Sequence, residues 1–328
     1  MSKRELVLNA FNNQEVERVP VGFWFHFAAD AFFDSSEETV KRNIAGHQKY
    51  VDEFHPDFLK LMSDGFFGYP NEAIKKIKTA ADLDRIEKED AGKWIQGQVD
   101  LVRELTGRFQ KEVASFYNIF APATYLSLLL EAAGNELTVA QLAKENPKGL
   151  ARVLDLIAKD VALLSRRVIA EGGADGIYLS VRNIDGVGKE DYLNVIAPSE
   201  LAVLENANAV SRYNILHICG YEGHRNDLST YVDYPARIVN WAVTVENVSL
   251  SEGKKLFGGK AVIGGFNNTT DGVLYKGSKE EIEAETARLI ADAGTTGVIL
   301  GADCTIPSDT PLEHLSWVRE KAKEVSAR

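Results

Sequence analysis

The feature that most constrains the fold of this 328-residue chain is a regular alternation of short apolar runs and longer charged segments. The runs are almost continuously apolar or aromatic, which is typical of parallel strands covered on both faces. The segments between them have helical character, as in Leu137–Glu171, which is interrupted near Pro147, and in Lys279–Ala293. The pattern predicts eight strands: Val19–Phe27, Phe58–Met62, Val113–Phe120, Gly176–Val181, Tyr213–Cys219, Arg237–Val243, Ala261–Phe266 and Gly297–Leu300.

Eight strands that alternate with helices over this length favour a closed (β/α)₈ TIM barrel. An open, doubly wound sheet is the alternative. The barrel is favoured because polar residues follow strands that are distant in sequence, and only a barrel brings those strand ends to one mouth. The chain contains no linker, low-complexity stretch or repeat, so residues 1–328 are expected to form a single domain.

The composition limits the class of protein. Lys and Arg number 37 and Asp and Glu number 48, which gives a net charge of −11 and argues against a nucleic-acid partner. No apolar stretch is long enough to span a bilayer, and the first residues lack the apolar core of a secretion signal. We therefore expect a cytoplasmic protein, in which the two cysteines are free thiols or metal ligands.

Both cysteines follow predicted strands. His217 and Cys219 are two positions apart on one strand, so their side chains point to the same face and can bind one metal ion. Cys304, after the last strand, would be a third ligand and would leave the fourth tetrahedral position open, as in catalytic zinc sites. The alternative is a pair of buried structural cysteines, since free cysteine is among the most buried residue types.

Further polar and aromatic residues are predicted to face the same mouth. Trp24 and His26 share one face of the first strand, and Tyr178 lies on the fourth; all three either line a pocket or fill the barrel interior. Asp64 follows the second strand, where a carboxylate can act as an acid or base or cap the next turn.

Two other strand ends carry candidate substrate-binding residues. Arg182 follows the fourth strand and could bind a carboxylate, because guanidinium matches planar anions; a solvated loop residue is the alternative. Asn267 follows the paired glycines Gly264 and Gly265, which permit close backbone approach to a ligand or a tight turn.

Several segments together resemble the uroporphyrinogen decarboxylase superfamily, and the resemblance runs over nearly the whole chain. The opening strand and the Leu61–Asp64 segment are similar to the corresponding family segments, and the latter carries the catalytic aspartate of the decarboxylases. The family fold is a (β/α)₈ barrel. The most similar segments lie in the C-terminal third: Asn240–Val243, Ile263–Asn268, Leu274–Tyr275, Lys279–Ile282 and Ile306–Glu313.

The sequence departs from the decarboxylase branch of that superfamily at three motifs. An Arg-Gln-Ala-Gly-Arg motif follows the first strand in the decarboxylases, whereas this chain has Phe25–Asp30 without arginine. Their Phe-Asp-Ser and Gly-His-Gly-Ile motifs are replaced by Ser180–Arg182 and Ala302–Thr305. The resemblance therefore makes tetrapyrrole decarboxylation the less favoured activity.

The second branch comprises zinc-dependent methyltransferases that move a methyl group between a corrinoid protein and a thiol such as coenzyme M. Their metal motif is His-x-Cys with a distant cysteine, which His217, Cys219 and Cys304 match. This resemblance implies a bound zinc ion, a small thiol substrate and a corrinoid partner protein, because the chain has no Asp-x-His-x-x-Gly stretch to bind cobalt itself.

Two other functions remain open from the sequence. One is a decarboxylase or other lyase that acts on a smaller acid through Asp64 and Arg182. The other is a non-catalytic barrel that binds a corrinoid or tetrapyrrole. A homodimer is one expected assembly, because it is common in the decarboxylase branch.

Overall fold

The computed structural model of the protein describes residues 1–63, 65–109 and 112–326. Within these residues, seven parallel strands form one sheet in sequence order, β1 to β7. They confirm seven of the eight predicted strands, with bounds that differ by at most a few residues. The strands are β1 Phe58–Leu61, β2 Ala114–Phe120, β3 Gly176–Val181, β4 Ile215–Ile218, β5 Ile238–Trp241, β6 Ala261–Phe266 and β7 Val298–Ala302.

The predicted strand Val19–Phe27 is the exception, so the eight-stranded barrel is not confirmed. This segment forms only an isolated parallel bridge between Val21 and Leu300 of β7. The Tyr50 hydroxyl explains why the pairing stops, because it donates to the Phe23 carbonyl (2.7 Å) and accepts from the Phe23 amide (3.1 Å). A side chain thus satisfies the backbone groups that a neighbouring strand would otherwise bind.

Helices connect the strands and pack their apolar faces against the outer side of the sheet. The predicted segment 137–171 forms two helices that meet at Pro147, and Lys279–Ala293 is helical as predicted. Among the helices of the described residues, none is both long enough and apolar enough to cross a bilayer. The helices are α1 Lys3–Phe11, α2 Glu37–Phe54, α3 Gly92–Phe109, α4 Pro122–Ala132, α5 Val139–Glu145, α6 Pro147–Ala170, α7 Lys189–Asp191, α8 Ala197–Asn208, α9 Val243–Glu246, α10 Leu250–Leu256, α11 Val273–Lys276, α12 Lys279–Ala293 and α13 Leu312–Ser326.

Helix α1 covers the amino-terminal end of the strands. Phe11 packs on Phe116 of β2 with a ring-centroid distance of 5.2 Å, inside a buried cluster that faces the inner side of the sheet. The Phe11 carbonyl accepts a hydrogen bond from Arg237, which directly precedes β5. With that end occupied, the carboxyl ends of the strands are the side on which the polar residues converge.

A buried carboxyl group connects the segments that follow β3 and β4. Glu200 of α8 is buried and accepts hydrogen bonds from the hydroxyls of Tyr192 (2.9 Å) and Tyr234. The Tyr192 hydroxyl also lies 3.2 Å from the carbonyl oxygen of Arg182, a second acceptor for the same proton. Burial raises the pKa of Glu200 from its usual value of 4.5 to about 7.

This raised pKa predicts that the protein loses stability as the pH rises through the range from 4.5 to about 7. In that range the unfolded chain releases the Glu200 proton while the folded chain retains it, so each step upward in pH favours unfolding. The free energy of unfolding of Glu200→Gln minus that of wild type should therefore be about 3 kcal/mol more favourable to the variant at pH 8 than at about pH 4. Urea unfolding of both proteins at the two pH values measures this change, and a difference that is independent of pH contradicts the prediction.

Candidate metal centre

Three potential ligands converge at the carboxyl ends of β4 and β7. His217 lies within β4 and Cys219 directly follows that strand, where its amide donates to the Val181 carbonyl over 2.8 Å. Cys304 lies two residues after β7. The ligand atoms of the three side chains all lie within 4.8 Å of one another. The structure therefore brings together the three residues that the sequence proposed as a metal site.

The spacing of these atoms fits a tetrahedral zinc ion. Cys219 Sγ and Cys304 Sγ are 3.9 Å apart, and Cys304 Sγ is 3.6 Å from His217 Nε2. Tetrahedral zinc with ordinary bond lengths places two sulfur ligands about 3.8 Å apart and a sulfur and a nitrogen about 3.5 Å apart. His217 and Cys304 are buried while Cys219 is partly exposed, so the centre is approached from the Cys219 side.

Asn240 of β5 holds His217 in the form that a metal requires. The Asn240 amide nitrogen donates to the carbonyls of Ile263 (2.8 Å) and Ala302 (3.2 Å), so Oδ1 must be the acceptor for its remaining neighbours. Those neighbours are His217 Nδ1 and the Tyr178 hydroxyl. Since Nδ1 carries the proton, the lone pair of His217 Nε2 points to the cysteines, as is usual for metal-binding histidines.

Protonation of the neighbouring groups is consistent with this arrangement. The hydrogen bond from Cys304 lowers the pKa of Cys219, whereas the same contact, together with burial, raises the pKa of Cys304. The two thiols therefore share one proton in the absence of a metal, and a divalent cation can replace it. Burial, followed by the charges of Cys304 and Cys219, raises the pKa of Tyr178, so its hydroxyl remains a donor to Asn240.

Lys60 of β1 is, after Asn240, a second polar residue at this site that was not among the predicted site residues. Its ammonium nitrogen lies 4.0 Å from the ring centroid of Tyr178 and 5.2 Å from that of Trp24. Of the lysines and arginines in the described part of the chain, Lys60 alone is buried. Asn240 and Lys60 share a signal in the sequence, since each interrupts an otherwise apolar strand, where a buried polar residue calls for an explanation.

The other predicted pocket residues are placed as follows. Tyr178 packs against His217 with a ring-centroid distance of 5.5 Å, and Trp24 packs against Tyr178 at the same distance. Trp24 Nε1 is buried without a hydrogen-bond acceptor among the described residues. His26 is partly exposed on the segment that follows Trp24, and Asp64 lies outside the described residues.

Arg182 and Asn267 occupy different surroundings. Arg182 is partly exposed at the carboxyl end of β3, and its carbonyl oxygen lies 3.2 Å from the Tyr192 hydroxyl. Asn267 accepts from the amide of Thr269 over 2.8 Å and lines a groove of about 720 Å³ with Thr244 and Arg288. That groove lies between the sheet and α12, so its residues differ from those of the His217, Cys219 and Cys304 centre.

Replacing Asn240 by leucine is expected to weaken zinc binding by roughly 10- to 100-fold, because His217 loses the acceptor that sets its orientation and tautomer. Asn214 provides a matched control. It is equally buried, it accepts from the Ile177 amide over 3.0 Å and it donates to Ser211, but it precedes β4 at the opposite end of the strand.

Both leucine variants should lose stability, and only Asn240→Leu should lose zinc affinity. Competition for zinc with a chromophoric chelator measures the affinity, and thermal unfolding measures the stability. Equal losses of zinc affinity in the two variants would show that Asn240 acts only through folding.

Comparisons with known proteins agree with this architecture. Residues 70–325 match the sequence model of the family described as Uroporphyrinogen decarboxylase (URO-D). Among solved structures, a methyltransferase from Methanosarcina mazei is similar with a TM-score of 0.69 and 15% identity over 99% of both chains. No significant match was found among curated protein sequences.

B12-independent methionine synthases also share the fold. The enzyme from Shewanella sp. W3-18-1, in complex with selenomethionine, has a TM-score of 0.58 and 12% identity over 88% of this chain and 89% of that chain. A putative enzyme of this kind from Listeria monocytogenes has a TM-score of 0.54 and 12% identity over 88% of both chains. At such identities the likeness concerns the fold alone.

Proposed function

The chain belongs to the uroporphyrinogen decarboxylase family, and within it we propose that the protein is a zinc-dependent methyltransferase acting between a corrinoid protein and a thiol. The observation that carries the proposal is the donor set of His217, Cys219 and Cys304, whose spacing fits tetrahedral zinc and leaves one position for a substrate. The fold shared with the Methanosarcina mazei methyltransferase supports the same choice within the family.

The chemistry of the donor set favours a sulfur substrate. When bound, zinc would deprotonate a coordinating thiol at neutral pH. Two cysteine thiolates keep the centre rich in electrons, so a sulfur substrate there retains its nucleophilicity, whereas a set of three histidines would suit water activation. In the proposed reaction a sulfur–carbon bond forms as the cobalt–carbon bond breaks, and the electron pair of that bond remains on cobalt.

The surrounding residues have distinct proposed roles. Asn240 keeps His217 Nε2 directed at the metal position. Tyr178 and Trp24 form the apolar wall beside His217 and restrict water. Arg182, at the carboxyl end of β3, is proposed to bind an anionic group of the substrate.

Three further residues from the sequence prediction have proposed roles in substrate binding or catalysis. His26 and Asp64 are proposed to face the same mouth, with Asp64 as the candidate acid or base. Asn267 lines the outer groove, so a substrate contact there would involve a part of the substrate distant from the thiol.

The test of this function is a pair of measurements on wild-type protein purified without chelator. We expect about one zinc ion per chain, and transfer of methyl from methylcobalamin to 2-mercaptoethanol that stops on chelation and returns with added zinc. Absence of zinc even after its addition would reject the methyltransferase. Release of CO₂ from a carboxylic acid that continues under chelation would favour the decarboxylase, and binding of a corrinoid without any turnover would favour a carrier.

A further inference from the structure

Lys60 of β1 is the one buried lysine or arginine among the described residues, and it faces the thiol-rich centre. Lys60 lies on the inner side of the sheet and is 4% exposed. Its ammonium contacts the ring of Tyr178, which also packs against His217 and donates its hydroxyl to Asn240. The Lys60 ammonium nitrogen lies 4.0 Å from the Tyr178 ring centroid, and that ring lies 5.5 Å from the ring of His217, so only one aromatic ring separates the positive charge from a ligand of the centre.

The charge balance of the site gives this lysine a specific task. A divalent metal ion with two cysteine thiolates and a neutral histidine is electrically neutral. A further ligand that binds as an anion makes the assembly negative inside a buried pocket, which is costly without a counter-charge.

We propose that Lys60 is the counter-cation of this centre and selects a substrate that binds as an anionic sulfur over a ligand that binds neutral. The inference rests on the proposed function and adds to it the charge state of the bound substrate. It also implies release of the product, since methylation of the sulfur removes the charge that Lys60 attracts. Lys60 is thus a positioning residue that acts through electrostatics.

The sign of the effect distinguishes this role from a structural one. A buried ammonium repels a divalent metal ion and attracts an anionic ligand. Removing it should therefore leave metal binding as tight as before or tighter, while the binding of a thiol weakens. A packing defect would weaken both.

The experiment uses Co²⁺ in place of zinc, because its absorption bands report both metal and thiol binding. Lys60→Met should retain the wild-type cobalt content and bind 2-mercaptoethanol roughly tenfold or more weakly. Binding of imidazole, a neutral ligand, should change little. Lys60→Arg should restore most of the thiol affinity, because it restores the charge.

Met62→Leu is the matched control, since Met62 directly follows β1, is buried in the cluster on the inner side of the sheet, and the substitution conserves volume. Equal affinity of Lys60→Met and wild type for the thiol would overturn the proposal, as would a joint loss of thiol, imidazole and cobalt binding. Wild-type protein that binds no metal would reject the proposed function as well. Wild-type protein that binds cobalt and thiol as described, without methyl transfer, would reject only the proposed function.

Discussion

Replacing Cys304 by serine is expected to reduce the zinc content from about one ion per chain to nearly none and to abolish methyl transfer. Cys304 Sγ lies 3.9 Å from Cys219 Sγ and 3.6 Å from His217 Nε2. A serine hydroxyl is a poor zinc ligand at neutral pH. Loss of the Cys304 thiolate therefore leaves only His217 and Cys219, of the three proposed ligands, to hold the ion. Elemental analysis after gel filtration and a methylcobalamin assay measure the two effects.

The neighbouring variant Thr305→Ser serves as the control, because it changes the same loop and leaves the three ligands intact. Cys219→Ser should behave like Cys304→Ser, because each removes one thiolate from the same centre. If both cysteine variants retained zinc and merely unfolded at lower temperature, the cysteines would be structural, as the alternative reading of the sequence holds.

The second large effect concerns the junction between the first segment and β1. The buried Asp57 carboxylate accepts two hydrogen bonds from Arg18, at 2.5 and 2.6 Å, and one from the Val21 amide at 2.8 Å. The Asp57 amide in turn donates to the Val21 carbonyl over 2.9 Å. Asp57→Ala is expected to lower the free energy of unfolding by about 3 kcal/mol or more, because it leaves the largely buried Arg18 cation without its partner.

Urea unfolding at neutral pH measures this loss, and Glu104→Ala provides the control. Glu104 forms an ion pair with Arg108 over 2.6 Å on an exposed helix surface, where such pairs contribute little to stability. Similar losses in the two variants would mean that the buried Arg18–Asp57 pair contributes no more to the free energy of unfolding than an exposed pair does. A selective loss in Asp57→Ala would show that this pair holds residues 18–23 at the edge of the sheet.

The prediction that failed identifies what a local pattern can and cannot report. The apolar run at Val19–Phe27 has the composition of a strand, yet it forms a single bridge to Leu300. The group that ends the pairing is the hydroxyl of Tyr50, which lies 27 positions away in sequence. Apolar periodicity reports burial and extended backbone, while the partner of each amide depends on residues that the periodicity does not contain.

Asn240 and Lys60 illustrate the same limit at the site. Each is visible in the sequence as a polar residue within an apolar strand, and nothing in the sequence indicates what it contacts. Asn240 is assigned as the orienting partner of His217 only by its four hydrogen bonds. Lys60 is assigned to the thiol centre only because β1 and β3 place it against the ring of Tyr178.

The sequence by itself determined the seven strands, the helices between them and the pair formed by His217 and Cys219, because these follow from the short periods of strands and helices. Only the tertiary structure decided that Cys304, 85 positions beyond Cys219, lies 3.9 Å from it. The physical reason is that local periodicity fixes which side chains share a face. The distance between the ends of β4 and β7 is set by the curvature of the whole sheet, to which every strand and every packed helix contributes.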